Sequence, residues 1–414
     1  MLPIIVIGLA SGGLYALAAI GLVCIYRGSR VLNLAVGGVA AWGGYLFVDL
    51  RDAHRVPALL AGAVVLATAA AFGVAVYLLL IRPIRGGTEL LKIVMSLGLL
   101  AVLTGTVVIV FCSQPQFVNS SLPTTRVHLL GADIGADRLL IILIAAVLSG
   151  AFGLWSAYGK RAIATRAMAD NEAGVIALGY SPNVLGGLNW ALGSMLAALA
   201  GIFLAPIVGL SPGSIPVIVV PALSAALLGR FVSYGWAFGG GLLLGVLEAL
   251  ATRYIPMAGW GFAVPFIVVA AVLIGRRDLG ANRSRIERAM PIARELGWGN
   301  ACMLAALAAV VALGSEQWTS AVTVTMCFAI LTLSLVVVVG YINQISLAQL
   351  AIAGIAAILS IKLLSLGLPF VFVPLVAAII GAAVGLVIAV PALRLSGVNL
   401  AVVTIGASVA LSNL

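Results

Sequence analysis

Residues 1–44 read MLPIIVIGLASGGLYALAAIGLVCIYRGSRVLNLAVGGVAAWGG. No charged side chain interrupts the run from Leu2 to Tyr26, and the first basic residue is Arg27. About 20 apolar residues cross a hydrocarbon core of about 30 Å as a helix. The stretch therefore reads as one membrane span, a short polar break, and a second run rich in Gly and Ala. It does not read as a cleaved leader, because no basic residue precedes it and the apolar run is too long.

The same grammar continues along the 414 residues, of which 63% are hydrophobic and 8% charged. A soluble domain carries about 45–50% apolar and about 25% charged residues. Too little charge remains here to cover a water-facing surface. A soluble enzyme, a disordered chain and a disulfide scaffold are excluded, and the continuous apolar runs exclude a β-barrel. Candidate spans fall near 3–26, 33–50, 57–81, 90–112, 138–158, 184–209, 215–229, 234–252 and 261–275. Others fall near 299–314, 320–340, 345–366, 370–390 and 398–414. The expected fold is an all-α polytopic membrane protein with about 12–14 transmembrane or partial helices. Cys24, Cys112, Cys302 and Cys327 lie in or beside apolar runs without metal-type spacing and read as packing residues.

The net charge of +10 is a topology signal rather than a sign of nucleic acid. With the N-terminus outside and a crossing at every span, one set of loops holds Arg27, Arg30, Arg82, Arg85, Lys160, Arg161, Arg166, Arg230 and Arg394. It also holds Arg276, Arg277, Arg283, Arg285, Arg288 and Arg294. The opposite ends hold only Arg51, Arg55, Arg126, Arg138 and Arg253. Cytoplasmic loops carry the excess of Lys and Arg. Segments 159–183 and 276–298 are thus expected inside and 113–137 outside. The basic stretch 276–298 reads as a cytoplasmic linker between a first module, 1–275, and a second, 299–414.

A shift of 313 positions sets GLVCIYRGSRVLNLAVGGVAAWGG (21–44) against SLVVVVGYINQISLAQLAIAGIAA (334–357). Identities are few: Leu22/Leu335, Val23/Val336, Leu34/Leu347, Ala35/Ala348 and Ala40/Ala353. The shared order is more telling: an apolar span, a polar break, then small residues. Both breaks fall inside, so the two modules read as a parallel repeat. The pairs Gly8/Gly12, Gly241/Gly245 and Gly381/Gly385 have the G-x-x-x-G spacing that lets helices approach closely in lipid.

Chemistry-bearing residues are sparse. His54 and His128 lack a ligand partner at helical spacing, and no phosphate-binding G-x-x-x-x-G-K-[ST] motif occurs. No metal, cofactor or catalytic constellation is expected. Glu248 is an intramembrane carboxylate and so a pathway candidate; snorkelling or pairing with Arg253 is the structural alternative. Asn33 in the first break, and Asn343, Gln344, Ser346 and Gln349 in the second, are uncharged hydrogen-bonding groups at interrupted helices. They are candidates to line a translocation pathway; capping of helix ends is the alternative. Segment 160–183, KRAIATRAMADNEAGVIALGYSPN, carries Arg166, the patch Asp170-Asn171-Glu172-Ala173, and a helix stop at Gly179. It suits docking on a cytoplasmic partner, or is simply a solvated surface.

IYRGSRVLNLAVGG (25–38) and ADNEAGVIALGYSPNVLGGLNWALGSMLAALAGIFLAP (169–206) resemble the membrane permease of branched-chain amino acid ABC importers. VVGYINQISLAQLAIAGIAA (338–357) and PALRLSGVNLAVVTIGAS (391–408) resemble the start of the partner permease of the same importers. The resemblance implies a permease subunit without its own ATP-binding motif, moving hydrophobic amino acids across the inner membrane. Its implied partners are cytoplasmic ATPase subunits, an extracytoplasmic substrate-binding protein and a second permease chain. Arg166, Asp170, Asn171, Glu172, Ala173 and Gly179 then belong to the ATPase-coupling loop. The second module ends at Leu414 before any coupling loop of its own and reads as incomplete. A permease for sugars or other small solutes, a secondary carrier, and a non-transporting scaffold remain as alternatives. The orientation is tested by labelling with a membrane-impermeant thiol reagent from outside. A cysteine at Ser121 is expected to react and one at Ser284 to be spared; the reverse pattern overturns it.

Overall fold

The computed structural model describes residues 1–111, 114–123, 125–129, 132–255, 259–275, 302, 308, 315–341, 346–392 and 398–413. The chain divides into one compact unit of residues 1–276 with 405–414, and another of 277–404.

In the first unit α1 (Leu2–Ser29) starts on Pro3, whose missing N–H costs nothing in a first turn. It ends where Arg30 turns left-handed at φ 53° and its N–H bonds Tyr26 O. After the break come α2 (Val36–Val48), with a π turn over Asp49–Ala53, and α3 (Ala58–Val76), with a π turn over Tyr77–Ile81. Next are α4 (Glu89–Phe111), a hairpin of β1 (Arg126–Leu129) and β2 (Ala132–Gly135), and α5 (Ala136–Tyr158). Two short helices follow, α6 (Lys160–Asp170) and α7 (Glu172–Ala177), and then the long α8 (Pro182–Val208). A 3-10 turn at Ile215–Ile218 leads into α9 (Val219–Leu228), followed by α10 (Tyr234–Tyr254) and α11 (Trp260–Gly275). The second unit contains α12 (Glu316–Leu335) with a π turn over Val336–Tyr341, α13 (Gln349–Ser365) and α14 (Val373–Ala392). The division between units falls within α15 (Val398–Asn413).

Every expected span except 299–314, which lies almost wholly outside the described residues, coincides with a helix. Among the described residues, 7 helices are long and apolar enough to cross a membrane, and shorter apolar helices accompany them. The protein is a predominantly helical, multi-pass membrane protein of the all-α class. The 113–137 segment adds the small antiparallel hairpin, a structure its polar composition did not announce. The 276–298 stretch lies outside the described residues.

Two helices carry the packing of the first unit: α1 and α8 bury most of their length, while α3, α4 and α5 keep broad exposed faces. The two G-x-x-x-G motifs of α1 and α10 meet each other. A methyl group added at Gly8 would lie 2.7 Å from Val246 Cα, and one at Gly12 would lie 2.7 Å from Gly241 O. Lipid supplies no hydrophobic drive between helices, so close backbone approach and dispersion hold such pairs. On α8, Gly201 lies directly on the Ala40 backbone of α2. The third motif differs. A methyl group added at Gly381 or Gly385 would lie 3.6 or 3.9 Å from the Ile352 side chain, ordinary contact distances, rather than against another backbone.

Loops sort to two ends. At one, Arg27 reaches Ser156 on α5 and the Val232 carbonyl. At the other, Arg51 donates to Asn119 O and Ser121 Oγ, and its hydrogen bond to Asp52 holds that carboxyl below its usual pKa. Replacing Gly201 by Val drives a side chain into backbone and is expected to cost at least about 3 kcal/mol, the upper range for overpacking. Gly105→Ala meets open space and is expected to be neutral or to gain about 0.5–1 kcal/mol. Thermal midpoints of the purified variants check both.

Candidate functional site

The break between α1 and α2 lies deep in the first unit. Asn189 of α8 packs on Gly28 before it, and Gly201 packs on Ala40 after it. These α8 levels are 12 residues apart, about 18 Å at 1.5 Å per residue. Val31, Leu32, Asn33, Leu34 and Ala35 between them are all buried, with Asn33 only 2% exposed. Non-helical backbone at such depth must be satisfied inside the protein. Asn33 meets part of that need locally, its Oδ1 accepting the Ala35 N–H at 3.0 Å. Its amide thus acts as a cap on the break. The start of α2 abuts a second irregular element: an added Cβ at Gly37 would strike Pro216 in the 3-10 turn before α9. Two interrupted segments therefore meet beside α8.

The second unit repeats the helix start at the same shift. α2 begins at Val36 after Ala35, and α13 begins at Gln349 after Ala348. The two preceding alanines share backbone angles, φ −74° and ψ −1° against φ −93° and ψ −6°. Ser346 stands where Asn33 does and is half-buried. Here the break is tied by Leu347 N–H donating to Thr404 Oγ1 at 3.1 Å. Gln349 has its Oε1 buried with no partner among the described residues. Asn343 and Gln344 lie outside the described residues.

Glu248 sits on α10 facing Tyr15 of α1, and its Oε2 is buried without a hydrogen-bond partner. No ion pair joins it to Arg253 among the described residues. Gly261 of α11 closes over it, an added Cβ there falling 3.4 Å from Glu248 Cγ. Glu248 is not brought together with Asn33.

The α6–α7 segment is built to hold one shape. Asn171 breaks the helix at φ −149° and caps α7, its Oδ1 accepting Gly174 N–H at 2.9 Å. Gly179 ends α7 at φ 83°. Gly179 N–H bonds Ile176 O, and Tyr180 N–H bonds Val175 O, the paired bonds of a Schellman stop. Tyr180 folds back with Met168 and Ala167 on a buried cluster of Ala164, Val175 and Leu185. Glu172 pairs with Arg85, which follows α3, at 2.6 Å. Arg85 also donates to the buried Tyr77 hydroxyl, which in turn donates to Pro182 O at 3.3 Å. Arg166 and Arg27 both donate to Ser156 Oγ, at 3.1 and 2.7 Å. Asp170 ends α6, and Ala173 is exposed on α7. Facing out beside them are the apolar side chains of Ile163, Ile176 and Leu178.

Sequence reasoning missed Arg85, Tyr77, Ser156 and Asn189. Each acts through a partner distant in the chain, and no local pattern marks it. Among the described residues no group of His, Cys, Asp or Glu is placed to hold a metal.

Interrupted segments among apolar spans, with a fixed turn between two of them, belong to a multi-pass membrane protein. The family described as "branched-chain amino acid transport system / permease component" matches residues 4–274, and the chain belongs to it. The high-affinity branched-chain amino acid transport system permease protein BraD of Pseudomonas aeruginosa is 30% identical over 255 residues, 58% of this chain and 83% of that protein. The corresponding protein LivH of Escherichia coli K12 is 27% identical over 302 residues, 68% of this chain and 95% of LivH. A probable branched-chain amino acid transport permease protein LivH of Methanocaldococcus jannaschii is 25% identical over 274 residues, 63% of this chain and 84% of that protein. No solved structure matches.

Asn33→Leu leaves the buried Ala35 N–H without its acceptor and is expected to cost about 1–3 kcal/mol, read as a lowered thermal midpoint. Asn33→Ser keeps an uncharged acceptor two residues before Ala35 and is expected to lose less. A stable Asn33→Leu protein that fails only in uptake assigns the residue to the pathway instead.

Proposed function

We propose that this permease moves branched-chain or other hydrophobic amino acids across the inner membrane, N-terminus outside, driven by separate ATPase subunits. An extracytoplasmic binding protein delivers the substrate to the face bearing Arg51 and the hairpin. The names of the relatives support the substrate class, and the basic loops support the orientation. The pathway follows the interrupted segments, where Asn33, Ser346, Gln349, Glu248 and the undescribed Asn343 and Gln344 are its candidate polar groups. Residues 320–414 begin a permease module of the partner type, 276–298 links the modules, and a second permease chain joins the assembly.

The observation that carries the reading is the α6–α7 turn. It presents Ile176 (54% exposed) and Leu178 (76% exposed) outward at the basic end. Apolar side chains exposed among basic loops are what a docking partner covers. The Schellman stop and the Glu172–Arg85–Tyr77–Pro182 contacts tie this surface to α3 and α8, so a push on the turn reaches membrane helices. Arg166, Asp170, Asn171, Ala173 and Gly179 complete the coupling surface.

Gly179 adopts a left-handed conformation that costs an ordinary residue about 1–2 kcal/mol. Gly179→Val is therefore expected to re-aim α7 and separate ATP hydrolysis from uptake. Glu172→Gln should act more mildly, because a part-exposed ion pair is worth about 0–1 kcal/mol. Substrate-stimulated ATPase activity and uptake in proteoliposomes containing all subunits measure both. Parent-level stimulation and uptake in Gly179→Val removes the coupling role from this turn.

A further inference from the structure

Helices α3 and α4 are consecutive, yet they barely touch. Each packs on α2, and between them opens a cleft of about 500 Å³. Trp42 and Leu46 of α2 form its floor; Thr68 and Phe72 of α3 and Leu99 and Val102 of α4 form its walls. Three observations define what it takes. The first is polarity. The lining's polar hydrogens are already used: Trp42 Nε1 donates to Thr106 Oγ1, Thr106 Oγ1 to Leu103 O, and Thr68 Oγ1 to Val65 O. A zwitterionic amino acid would lose its hydration here and gain no partner.

The second observation is length. From Val65 to Phe72 the wall runs about 10 Å along α3, within the about 15 Å depth of one hydrocarbon leaflet. The third is charge. Lys92, Leu99 and Thr106 are spaced by seven and so lie on one stripe of α4. Lys92 thus stands about 10 Å from the cleft along the helix, toward the basic end. Arg82 follows α3 at that same end. The outer flanks, Val102 at 61% and Val94 at 55% exposed, are apolar surface of the kind lipid covers.

We propose that the α3–α4 cleft binds one acyl chain of an anionic diacyl phospholipid, with its phosphate beside Lys92. An apolar slot whose polar hydrogens are already used, with a lysine about 10 Å away toward the basic end, matches that molecule at both ends.

The test uses the unmodified full chain in the assembly from which it is isolated, in nanodiscs doped with phosphatidylglycerol carrying a diazirine in mid-chain. Adducts are expected to concentrate on residues 65–72 and 99–106, several-fold above other apolar exposed positions such as Leu59 and Ile109. Unlabelled phosphatidylglycerol should compete several-fold better than phosphatidylcholine, and Lys92→Gln should erase that preference while chain labelling persists. Val102→Trp should lower the adducts. Even labelling around the apolar belt overturns the proposal, as does equal competition by the two lipids on the unmodified chain. A photoreactive residue at Val102 that captures a polypeptide in place of lipid also overturns it, making the cleft a protein interface. The mapping on the unmodified chain stands whether or not any variant folds.

Discussion

The close approach of α8 to its neighbours is the constraint on which the first unit depends. In water a helix bundle gains by hiding apolar side chains; in hydrocarbon that gain vanishes, and what remains is contact and hydrogen bonding. The chain meets this by removing side chains where backbones must touch, Gly201 on Ala40 and Gly8/Gly12 on Gly241/Gly245. The consequence reaches beyond adhesion. Because α2 lies against α8 at backbone distance, the unwound residues before it are sealed from lipid on that side. The interruption at 31–35 is affordable at depth only because the packing around it is this tight.

A different balance holds the α6–α7 turn to the membrane helices. Its visible ion pair, Arg85–Glu172, is part-exposed and adds little. The buried contacts weigh more. Val175 and Leu185 bury their side chains in a small apolar cluster with Ala164. Thr165, buried on α6, accepts from Asn189 Nδ2 on α8 at 3.2 Å, and Asn189 Oδ1 accepts from Cys24 on α1. Removing one member of a buried polar chain strands the next, which costs more than the bond itself is worth. The turn is therefore positioned by its hidden face, leaving the outward face free of structural duty.

The spans were legible because continuous apolar runs admit few other structures in a bilayer. So was the stop at Gly179, since glycine before Tyr-Ser-Pro is an ordinary helix-ending signal. The glycine motifs were legible as motifs but not as partners: spacing alone does not say that Gly8/Gly12 meets Gly241/Gly245 while Gly381/Gly385 meets one isoleucine. Arg85 read as one more basic loop residue, because its partner Glu172 lies 87 positions away. Asn33 was visible as a polar interruption, yet its side chain turns to its own backbone two residues on. Composition reports that a polar group is present and not which hydrogen it receives.

The two breaks reach similar backbone geometry with different chemistry. Helix starts at Val36 and Gln349 each follow an alanine of similar backbone angles. In the first unit the freed backbone is served from within, by Asn33 two residues before Ala35. In the second the equivalent position holds Ser346, and its following residue Leu347 donates instead to Thr404, 57 positions on. A local cap depends only on a short stretch of chain; a tertiary cap exists only once α15 has docked. The acceptor for Ala35 N–H is thus supplied by its own stretch of sequence, and the acceptor for Leu347 N–H by packing. Movement of α15 would release Leu347 N–H, whereas no rigid-body movement alone releases Ala35.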